Sequence, residues 1–478
     1  MRSDRSWRSA RHSFSTSAGS GSRMGSYCEL TRSRLCRVAV VLISLTPMLL
    51  TSQGTHAEDW LQFRGPDARG FREGADLPDT WSETENVLWK TPLAGRAWSS
   101  PIITGDHIYL TTVIRESGDP EKADPGLYFG GNRAAPDDVV HDWQLVCLSL
   151  ENGEQLWSRS LHKGKPQRSR HLKNSYSSET PVTDGERVYV LIGDVGIFCL
   201  TVDGEPVWSQ ELPPVQTRFD WGPAASPVLH GDRLFVVSDN ENNSWFGAFD
   251  KKTGEQIFRV ERDEKTNWAT PFVWENELRT EVIIPATGKT RSYDLDGNLL
   301  YEFGGASSIT IATPYSAHGL LYVSSGYVND EQRPIFAIRP GASGDISLKP
   351  GETSNEFIVW SQPQEAPYNP TTLVYGDQLY VLHDRGFMTS FDARTGKMIY
   401  DKQRLPRGRA FTTSPWAADD RIFCLNEFGE TFVVQAGPEF KLLHINRLDS
   451  QQLCMATPAI VNDKLILRTG DALYCIGK

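Results

Sequence analysis

The feature that most constrains this sequence is a short phrase that recurs eight times along it. The phrase is a Ser or Thr, usually followed by Pro, and then a short alternation of apolar and polar residues that is typical of a β-strand. The eight copies begin at Ser100, Thr180, Ser226, Thr270, Thr313, Thr371, Ser414 and Thr457. Most neighbouring copies lie 43 to 46 residues apart, and two steps are longer, at 80 and 58 residues. Because one four-stranded propeller blade needs about this length, the sequence predicts an all-β, eight-bladed β-propeller of four-stranded blades.

Each repeat also contains signals for its later strands. Residues 188–190 illustrate the β-branched and aromatic second strand, and the third strand runs into an acidic turn that ends in Gly, as at residues 250–254. An aromatic residue follows that Gly four positions later on the fourth strand; the members are Trp157, Trp208, Phe258, Tyr301 and Tyr400. We expect these rings to fill the wedge between neighbouring blades. The longest step predicts a loop insertion at about residues 114–142 in the first blade.

The last repeat is one strand short. It reaches residues 473–476, and the chain ends at Lys478. Residues 87–90, which include Trp89, match the missing fourth strand. We therefore expect this N-terminal strand to complete the last blade, which would leave the ring without exposed sheet edges.

The N-terminal 57 residues have the pattern of a signal peptide. Residues 2–37 carry eight Arg and two acidic residues, an apolar run follows at residues 38–50, and Ala57 ends a small-residue cleavage site. The apolar run is too short to span a bilayer comfortably. We expect cleavage near Ala57, a periplasmic or secreted protein without a transmembrane segment, and a single propeller domain at residues 58–478.

Charge and cysteine content narrow the possible functions. The formal net charge is −11, and it becomes −17 once the leader with its charge of +6 is removed. Such an acidic chain lacks the clustered Lys and Arg that nucleic-acid binding requires. Five cysteines remain, at Cys147, Cys199, Cys424, Cys454 and Cys475. Three of them occupy matching places in the repeats, which favours small buried core residues over disulfides, redox centres or metal ligands.

Two segments of the repeat resemble a known family. Residues 248–258 and 390–400 share an Asp-x-x-Thr-Gly-x-x-x-aromatic core. This core resembles the tryptophan-docking repeat of the pyrroloquinoline-quinone-like (PQQ-like) propeller superfamily. Residues 60–66 are similar to the opening of many bacterial PQQ-like repeat proteins. The blades lack the Gly-His opening and the closing Trp-Asp of WD40 propellers.

The resemblance implies two alternative functions, because the superfamily includes quinoprotein dehydrogenases and the BamB-type scaffold of outer-membrane assembly. A dehydrogenase needs PQQ over an aromatic floor, Ca²⁺ held by oxygen ligands and a carboxylate base. Asp239 and Glu241 are weak candidates for the Ca²⁺ ligands, but a polar turn explains them better, since residues 383–384 and 426–427 occupy equivalent turns. The adjacent cysteine pair of the alcohol-oxidising members is absent. We therefore predict no catalytic residue, cofactor or metal; the alternative is a PQQ- and calcium-dependent dehydrogenase of an alcohol or sugar.

The loops before the first strand of each blade carry the candidate binding residues. Aromatic and basic side chains recur there, and the candidate residues are Arg96, Trp98, Tyr176, Trp221, Trp268 and Arg409. In a propeller these loops surround one mouth of the central channel, so the Trp residues would form a ring, and Arg96 and Arg409 would bind a carboxylate. Packing of each ring against the neighbouring blade is the competing explanation. The prediction is a non-catalytic, monomeric binding or scaffold protein whose partner is a protein or peptide of the cell envelope.

Overall fold

The computed structural model describes residues 59–117, 124–126, 133–134, 136–449 and 453–478. The predicted signal peptide and its cleavage site near Ala57 lie outside the described residues, as does part of the predicted insertion at residues 114–142. The described part of the chain contains no helix that is long and apolar enough to cross a membrane.

Short β-strands account for nearly all of the regular structure. A 3₁₀ turn (Pro66–Ala68) precedes strand β1 (Val87–Pro92). Blades 1 and 2, with the connection between them, contain β2 (Ile102–Thr104), β3 (His107–Arg115), β4 (Arg133–Ala134), β5 (His141–Ser149), β6 (Gln155–Gly164), β7 (Arg170–His171), β8 (Val182–Thr183), β9 (Arg187–Ile192), β10 (Gly196–Thr201) and β11 (Pro206–Glu211). A second 3₁₀ turn (Arg218–Asp220) follows.

The remaining strands continue this order around the ring. Blades 3 and 4 contain β12 (Val228–His230), β13 (Arg233–Ser238), β14 (Trp245–Asp250), β15 (Gln256–Glu261), β16 (Phe272–Glu275), β17 (Thr280–Pro285), β18 (Lys289–Tyr293) and β19 (Leu299–Gly304). Blades 5 and 6 contain β20 (Tyr315–Ala317), β21 (Leu320–Ser324), β22 (Ile335–Ile338), β23 (Gly344–Asp345), β24 (Ile358–Gln362), β25 (Leu373–Tyr375), β26 (Gln378–His383), β27 (Phe387–Asp392) and β28 (Met398–Arg404). Blades 7 and 8 contain β29 (Trp416–Ala418), β30 (Arg421–Leu425), β31 (Glu430–Gln435), β32 (Leu442–Arg447), β33 (Ala459–Val461), β34 (Lys464–Arg468) and β35 (Ala472–Ile476).

The strands form eight blades, each with four antiparallel strands, so the predicted eight-bladed propeller is confirmed. Blade 4 gains a short parallel fifth strand, β23, on the outer side of β19, and β4 pairs with β7 outside the blades. Blade 8 has the order β1-β35-β34-β33. Trp89 of β1 faces Cys475 of β35 in the antiparallel register, which confirms that the N-terminal strand completes the last blade.

The fourth-strand aromatics pack on the next blade along the ring. The Trp208 ring lies against Gly254 so closely that a Cβ at Gly254, where φ is +75°, would be 2.5 Å from it. The Trp208 indole Nε1 also donates to the carbonyl of Lys251 in the same turn, at 3.0 Å. The turn therefore needs Gly for two reasons, its left-handed conformation and the ring that lies on it. The aromatic ring that we expected to fill the space between two blades therefore lies on the Gly-containing turn of the next blade.

The core lies between blades and includes the cysteines. Cys147, Cys199, Cys424, Cys454 and Cys475 are all buried, in keeping with the core positions that the repeat pattern predicted. Burial raises the pKa of the Cys199 and Cys475 thiols to about 12. These side chains act as small apolar core groups.

Residues 60–71, which we call the channel plug, cross the central channel between opposite blades. Trp60 exchanges backbone hydrogen bonds with Ile103 of blade 1, at 2.8 and 2.9 Å. The guanidinium of Arg64, which is fully buried, donates to the carbonyls of Thr372 and Pro415 at the starts of blades 6 and 7. The 3₁₀ turn at Pro66–Ala68 also packs on β16 and β20, the first strands of blades 4 and 5, which lie across the ring from blade 1. The segment therefore crosses the axis of the ring. It therefore closes the channel behind the mouth.

Candidate functional site

The recurring Ser and Thr residues form a belt of hydrogen bonds around the channel. The backbone N–H of Ser100 donates to the Thr180 hydroxyl of the next blade at 3.0 Å. The same contact joins Thr180 to Ser226, Ser226 to Thr270, Thr313 to Thr371, Thr371 to Ser414 and Ser414 to Thr457, at 2.9 to 3.1 Å. Each of these six hydroxyls thus satisfies a buried backbone donor of the preceding blade, which explains why the repeat favours Ser or Thr there.

A cavity of about 250 Å³ lies at the mouth of the channel, directly above this belt. The residue two positions before each hydroxyl lines it, which gives the set Trp98, Ser178, Ala224, Trp268, Ile311, Asn369, Thr412 and Met455. Trp221, Tyr368, His171 and Lys173 complete the walls, and Phe63 of the channel plug reaches the cavity from below. The mouth is therefore a closed-ended pocket to which every blade contributes one side chain.

Three of the predicted binding residues meet in this cavity. Trp98, Trp221 and Trp268 all line it, although each is only 7 to 8 % exposed. The Trp98 indole donates to the Lys173 carbonyl at 2.5 Å, and the Trp268 indole donates to the Gly222 carbonyl at 2.7 Å. Each of these two rings is thus packed against the loop of a neighbouring blade, Trp98 against the next one and Trp268 against the preceding one, and each also lines the cavity. Trp98 and Trp268 therefore both pack between blades and line the cavity, so the packing explanation and the binding explanation do not exclude each other.

Trp221 differs from the other two tryptophans. Its ring lies 5.8 Å from that of Trp268, and its indole Nε1 is buried without a hydrogen-bond partner. A buried N–H without an acceptor costs free energy that a ligand acceptor would recover. Trp221 is therefore the cavity residue with the clearest unmet hydrogen-bonding capacity.

The lining of the cavity is close to electrically neutral. Lys173 Nζ donates to Glu427 Oε1 at 2.5 Å, and both side chains are buried, so the charge of the lysine is balanced behind the wall. Burial, together with the charges of Lys173 and Arg170, lowers the pKa of His171 to about 4 and keeps this imidazole neutral. Among the described residues that line the cavity, none is Asp or Glu.

Arg96, Tyr176 and Arg409 are not among the residues that line the central cavity with the three tryptophans. The guanidinium of Arg96 lies 5.2 Å from the Trp98 ring centre and donates to the Lys173 carbonyl at 3.3 Å. Arg96 and Tyr176 line a separate cavity of about 140 Å³. The guanidinium of Arg409 lies 4.7 Å from the Phe428 ring centre. These arginines contact an aromatic ring close to their own loops, which directs them away from the channel axis.

Asp239 and Glu241 do not form a shared oxygen cage. Both oxygens of Asp239 accept from Arg262, at 2.8 and 3.0 Å, inside the core. Glu241 Oε1 instead accepts from the Thr266 hydroxyl at 2.7 Å. In the part of the chain that the structure describes, no group of three or more His, Cys, Asp or Glu side chains is arranged to hold a metal ion.

The equivalent turn acid of blade 6 has a structural role, which supports the polar-turn interpretation. Asp384 accepts from the backbone N–H groups of Tyr368 and Asn369, at 2.7 and 2.9 Å, and so fixes two residues of the cavity wall. The sequence pattern did not single out Phe63 or the Lys173–Glu427 ion pair as part of the site. The cluster of aromatic residues at positions 60–63, ahead of the first strand, was the available signal for Phe63.

The fold, the docked aromatics and the Ser/Thr belt define an eight-bladed β-propeller. A family model described as outer membrane protein assembly factor BamB matches residues 141–302. BamB from Moraxella catarrhalis is similar in structure, with 13 % identity and a TM-score of 0.50; the match covers 76 % of this chain and 98 % of BamB. No curated protein matches the chain in sequence.

Two dehydrogenases share the fold to a similar degree. Quinohemoprotein alcohol dehydrogenase from Comamonas testosteroni is 9 % identical, with a TM-score of 0.54, and the match covers 88 % of this chain and 80 % of the enzyme. The quinohemoprotein alcohol dehydrogenase ADHIIG from Pseudomonas putida HK5 is 10 % identical, with a TM-score of 0.52 and the same two coverages. At these identities the likeness establishes the fold and leaves the function to the site.

Proposed function

We propose that this protein is a non-catalytic binding or scaffold propeller of the cell envelope, which holds a protein or peptide partner at the mouth of its central channel. The observation that carries the proposal is the closed-ended cavity of about 250 Å³, which is lined by Trp98, Trp221 and Trp268. Tryptophans at the centre of a pocket are the residue type that most often dominates binding energy. The likeness to the BamB family model supports the scaffold role, and the predicted signal peptide supports the location.

The neutral lining of the cavity indicates which kind of side chain the partner inserts into it. Because Lys173 is balanced by Glu427 and His171 is uncharged, a carboxylate would enter without an opposite charge to offset its loss of water. An apolar or aromatic side chain with a hydrogen-bond acceptor fits the tryptophan walls and the Trp221 N–H better. We therefore propose that the ligand is an uncharged side chain of a protein or peptide, and not the carboxylate that Arg96 and Arg409 led us to expect.

The residues of the cavity do not fit PQQ with calcium. PQQ carries three carboxylates, and the described lining residues provide one cation, Lys173, which Glu427 already neutralises. Calcium requires several oxygen ligands with carboxylates among them, and none of the described lining residues is Asp or Glu. Asp239 is bound by Arg262 instead. The dehydrogenase alternative is therefore supported by the shared fold and not by the residues of the cavity.

Substitution of Trp221 by Phe tests the proposed mouth. Trp221→Phe keeps an aromatic ring and removes the unpartnered N–H, so we expect an unchanged melting temperature and about tenfold weaker partner binding. Partners are captured from a cell-envelope extract, identified by mass spectrometry, purified, and titrated against both proteins by calorimetry.

Trp208→Phe is the matched control. Trp208 donates to the Lys251 carbonyl in an inter-blade turn, so its replacement should cost about 1 kcal/mol of stability and leave partner binding intact. The proposal fails if Trp221→Phe and the larger change Trp221→Ala both capture the same partners with wild-type affinity.

A further inference from the structure

A second and larger cavity, of about 540 Å³, lies at the junction of blades 1 and 2. We call it the side cavity. Its walls come from the end of β6, the connection that follows it, the turn between β9 and β10, and the segment just after β11. Its volume falls within the range of small-molecule sites in proteins. It is distinct from the central cavity, with which it shares Asn174.

One wall of the side cavity is unusually basic for this chain. Residues 162–173 contain three Lys, two Arg and two His and no acidic residue, in a protein whose net charge is −11. Arg168 of this segment lines the side cavity, and no described residue hydrogen-bonds to its guanidinium or pairs with it. Its donors are therefore available to a ligand.

The opposite wall supplies acceptors. Asp194 and Glu211 line it, and Asp194 Oδ1 accepts from the Val215 N–H at 3.0 Å while Oδ2 has no partner among the described residues. Burial raises the pKa of Asp194 to about 6, and the charge of Arg168 opposes that rise. The two walls thus present free donors and free acceptors to the same space.

Aromatic rings form a third wall. Trp143, His162 and Tyr176 line the cavity, with ring centres 5.3 Å apart for Trp143 and His162 and 6.4 Å apart for Trp143 and Tyr176. Burial lowers the pKa of His162, so this ring is neutral near pH 7. Rings of this kind pack against flat apolar surfaces such as the C–H faces of sugar rings.

We propose that the side cavity binds a short saccharide of disaccharide to trisaccharide size. A polyanion would meet Asp194 and Glu211, and a polycation would meet Arg168 and its basic neighbours, so neither suits the mixed walls. A sugar is uncharged, its hydroxyls both donate and accept, and its C–H faces suit the aromatic wall. The Arg168 guanidinium and the Asp194 carboxylate bind sugar hydroxyls, and the rings stack on the C–H faces.

The test is calorimetric titration of the full mature chain with a panel of neutral trisaccharides: cellotriose, maltotriose, xylotriose and chitotriose. Binding of at least one member is expected, and Arg168→Ala and Asp194→Asn should each weaken it about tenfold or more. Asp194→Asn keeps an oxygen for the Val215 N–H, so this variant should fold normally. Pull-down on the matching insoluble polysaccharide then distinguishes a polymer ligand from a free sugar.

Two controls make the outcome specific. Lys163→Ala removes a cation of the same basic segment that does not line the cavity, and it should leave sugar binding unchanged. Met455→Ala changes a side chain that lines the central cavity and not the side cavity, so it should also leave sugar binding unchanged and separates this proposal from the partner site. Absence of binding across the panel, or binding that Arg168→Ala and Asp194→Asn leave at wild-type strength, would overturn the proposal.

Discussion

Several buried charged side chains in this propeller are held by backbone groups. Arg64, which is fully buried, donates to the carbonyls of Ala68, Arg69, Thr372 and Pro415, and burial lowers its pKa to about 10. Glu179 accepts from the N–H groups of Ser178 and Gly193, both at 3.0 Å. Burial raises the pKa of Glu179 to about 7, because backbone donors offset only part of the lost hydration.

Glu179 should make the protein less stable as the pH rises. Its folded-state pKa of about 7 lies above the ordinary glutamate pKa of 4.5, so the native state retains a proton that the unfolded chain releases. Stability from this group is complete below the unfolded pKa, falls between about pH 4.5 and 7, and stays lower above that range. The loss is on the order of 3 kcal/mol. Glu179→Gln cannot ionise, so its melting temperature should fall less than that of the wild type between pH 5 and pH 8.

Glu186→Gln serves as the comparison, because Glu186 is exposed in the same blade. It should follow the pH profile of the wild type. If Glu179→Gln and the wild type lose the same number of degrees between pH 5 and pH 8, Glu179 is not the group that titrates.

At the scale of elements, each blade is fastened to the next by a ring and by a hydroxyl. Trp360 of blade 5 lies on Gly396 of blade 6 and donates to the Ala393 carbonyl at 2.9 Å, and Trp208 of blade 2 makes the corresponding contacts with blade 3. The Ser/Thr belt makes a second connection at the channel. Since such contacts join mainly neighbouring blades, the ring is only as stable as its closing junction. Strand β1 forms that junction.

Removal of residues 59–93 should destabilise the whole ring. The deletion takes away both β1 and the channel plug, and it leaves blade 8 with an open edge. We expect the melting temperature to fall by about 10 °C or more, as measured by circular dichroism on the mature chain and the truncated one.

A pair of point variants isolates β1 from the plug. Trp89→Ala removes the ring that lies against Gly153 of blade 1 and should cost about 3 kcal/mol, whereas Leu88→Ala next to it, 48 % exposed, should cost about 0.5 kcal/mol or less. A truncated chain that melts with the mature one, or equal costs for the two point variants, would show that closure by β1 is unimportant.

At the scale of the whole molecule, the same ring serves proteins of different function. The structural match extends to BamB and to quinohemoprotein alcohol dehydrogenases with similar TM-scores, so the architecture alone does not choose between a scaffold and an enzyme. The side chains at the mouth carry the distinction. Here they form a neutral aromatic pocket whose described lining residues include no carboxylate.

We expect no dye-linked oxidation of alcohols or sugars after reconstitution with PQQ and Ca²⁺, and no change in the ultraviolet–visible spectrum of the quinone. The physical reason is the lack of a carboxylate base and of calcium ligands among the described lining residues. Turnover that disappears in Glu241→Ala, in protein with a wild-type melting temperature, would establish the dehydrogenase instead. Asp239→Ala is less informative because it also leaves Arg262 buried without its partner.

The amino-acid sequence by itself determined the ring. The spacing of the Ser/Thr phrases, the turn glycines with their aromatics, and the incomplete last repeat predicted eight blades and closure by residues 87–90, because these are local signals repeated in a fixed order. It also placed Trp98, Trp221 and Trp268 in corresponding loops, and these three do meet at the mouth.

Only the tertiary structure decided which side chains of those loops lie together and which charges are balanced. The direction of Arg96, the balance of Lys173 by Glu427 and the passage of Phe63 through the channel all depend on residues far apart in the chain. Lys173 and Glu427 are 254 positions apart, and no local pattern links them. The same is true of the side cavity, where the basic segment meets Asp194 because two blades are adjacent. A repeat determines how blades follow one another, whereas the chemistry of a site depends on which side chains the closed ring brings together.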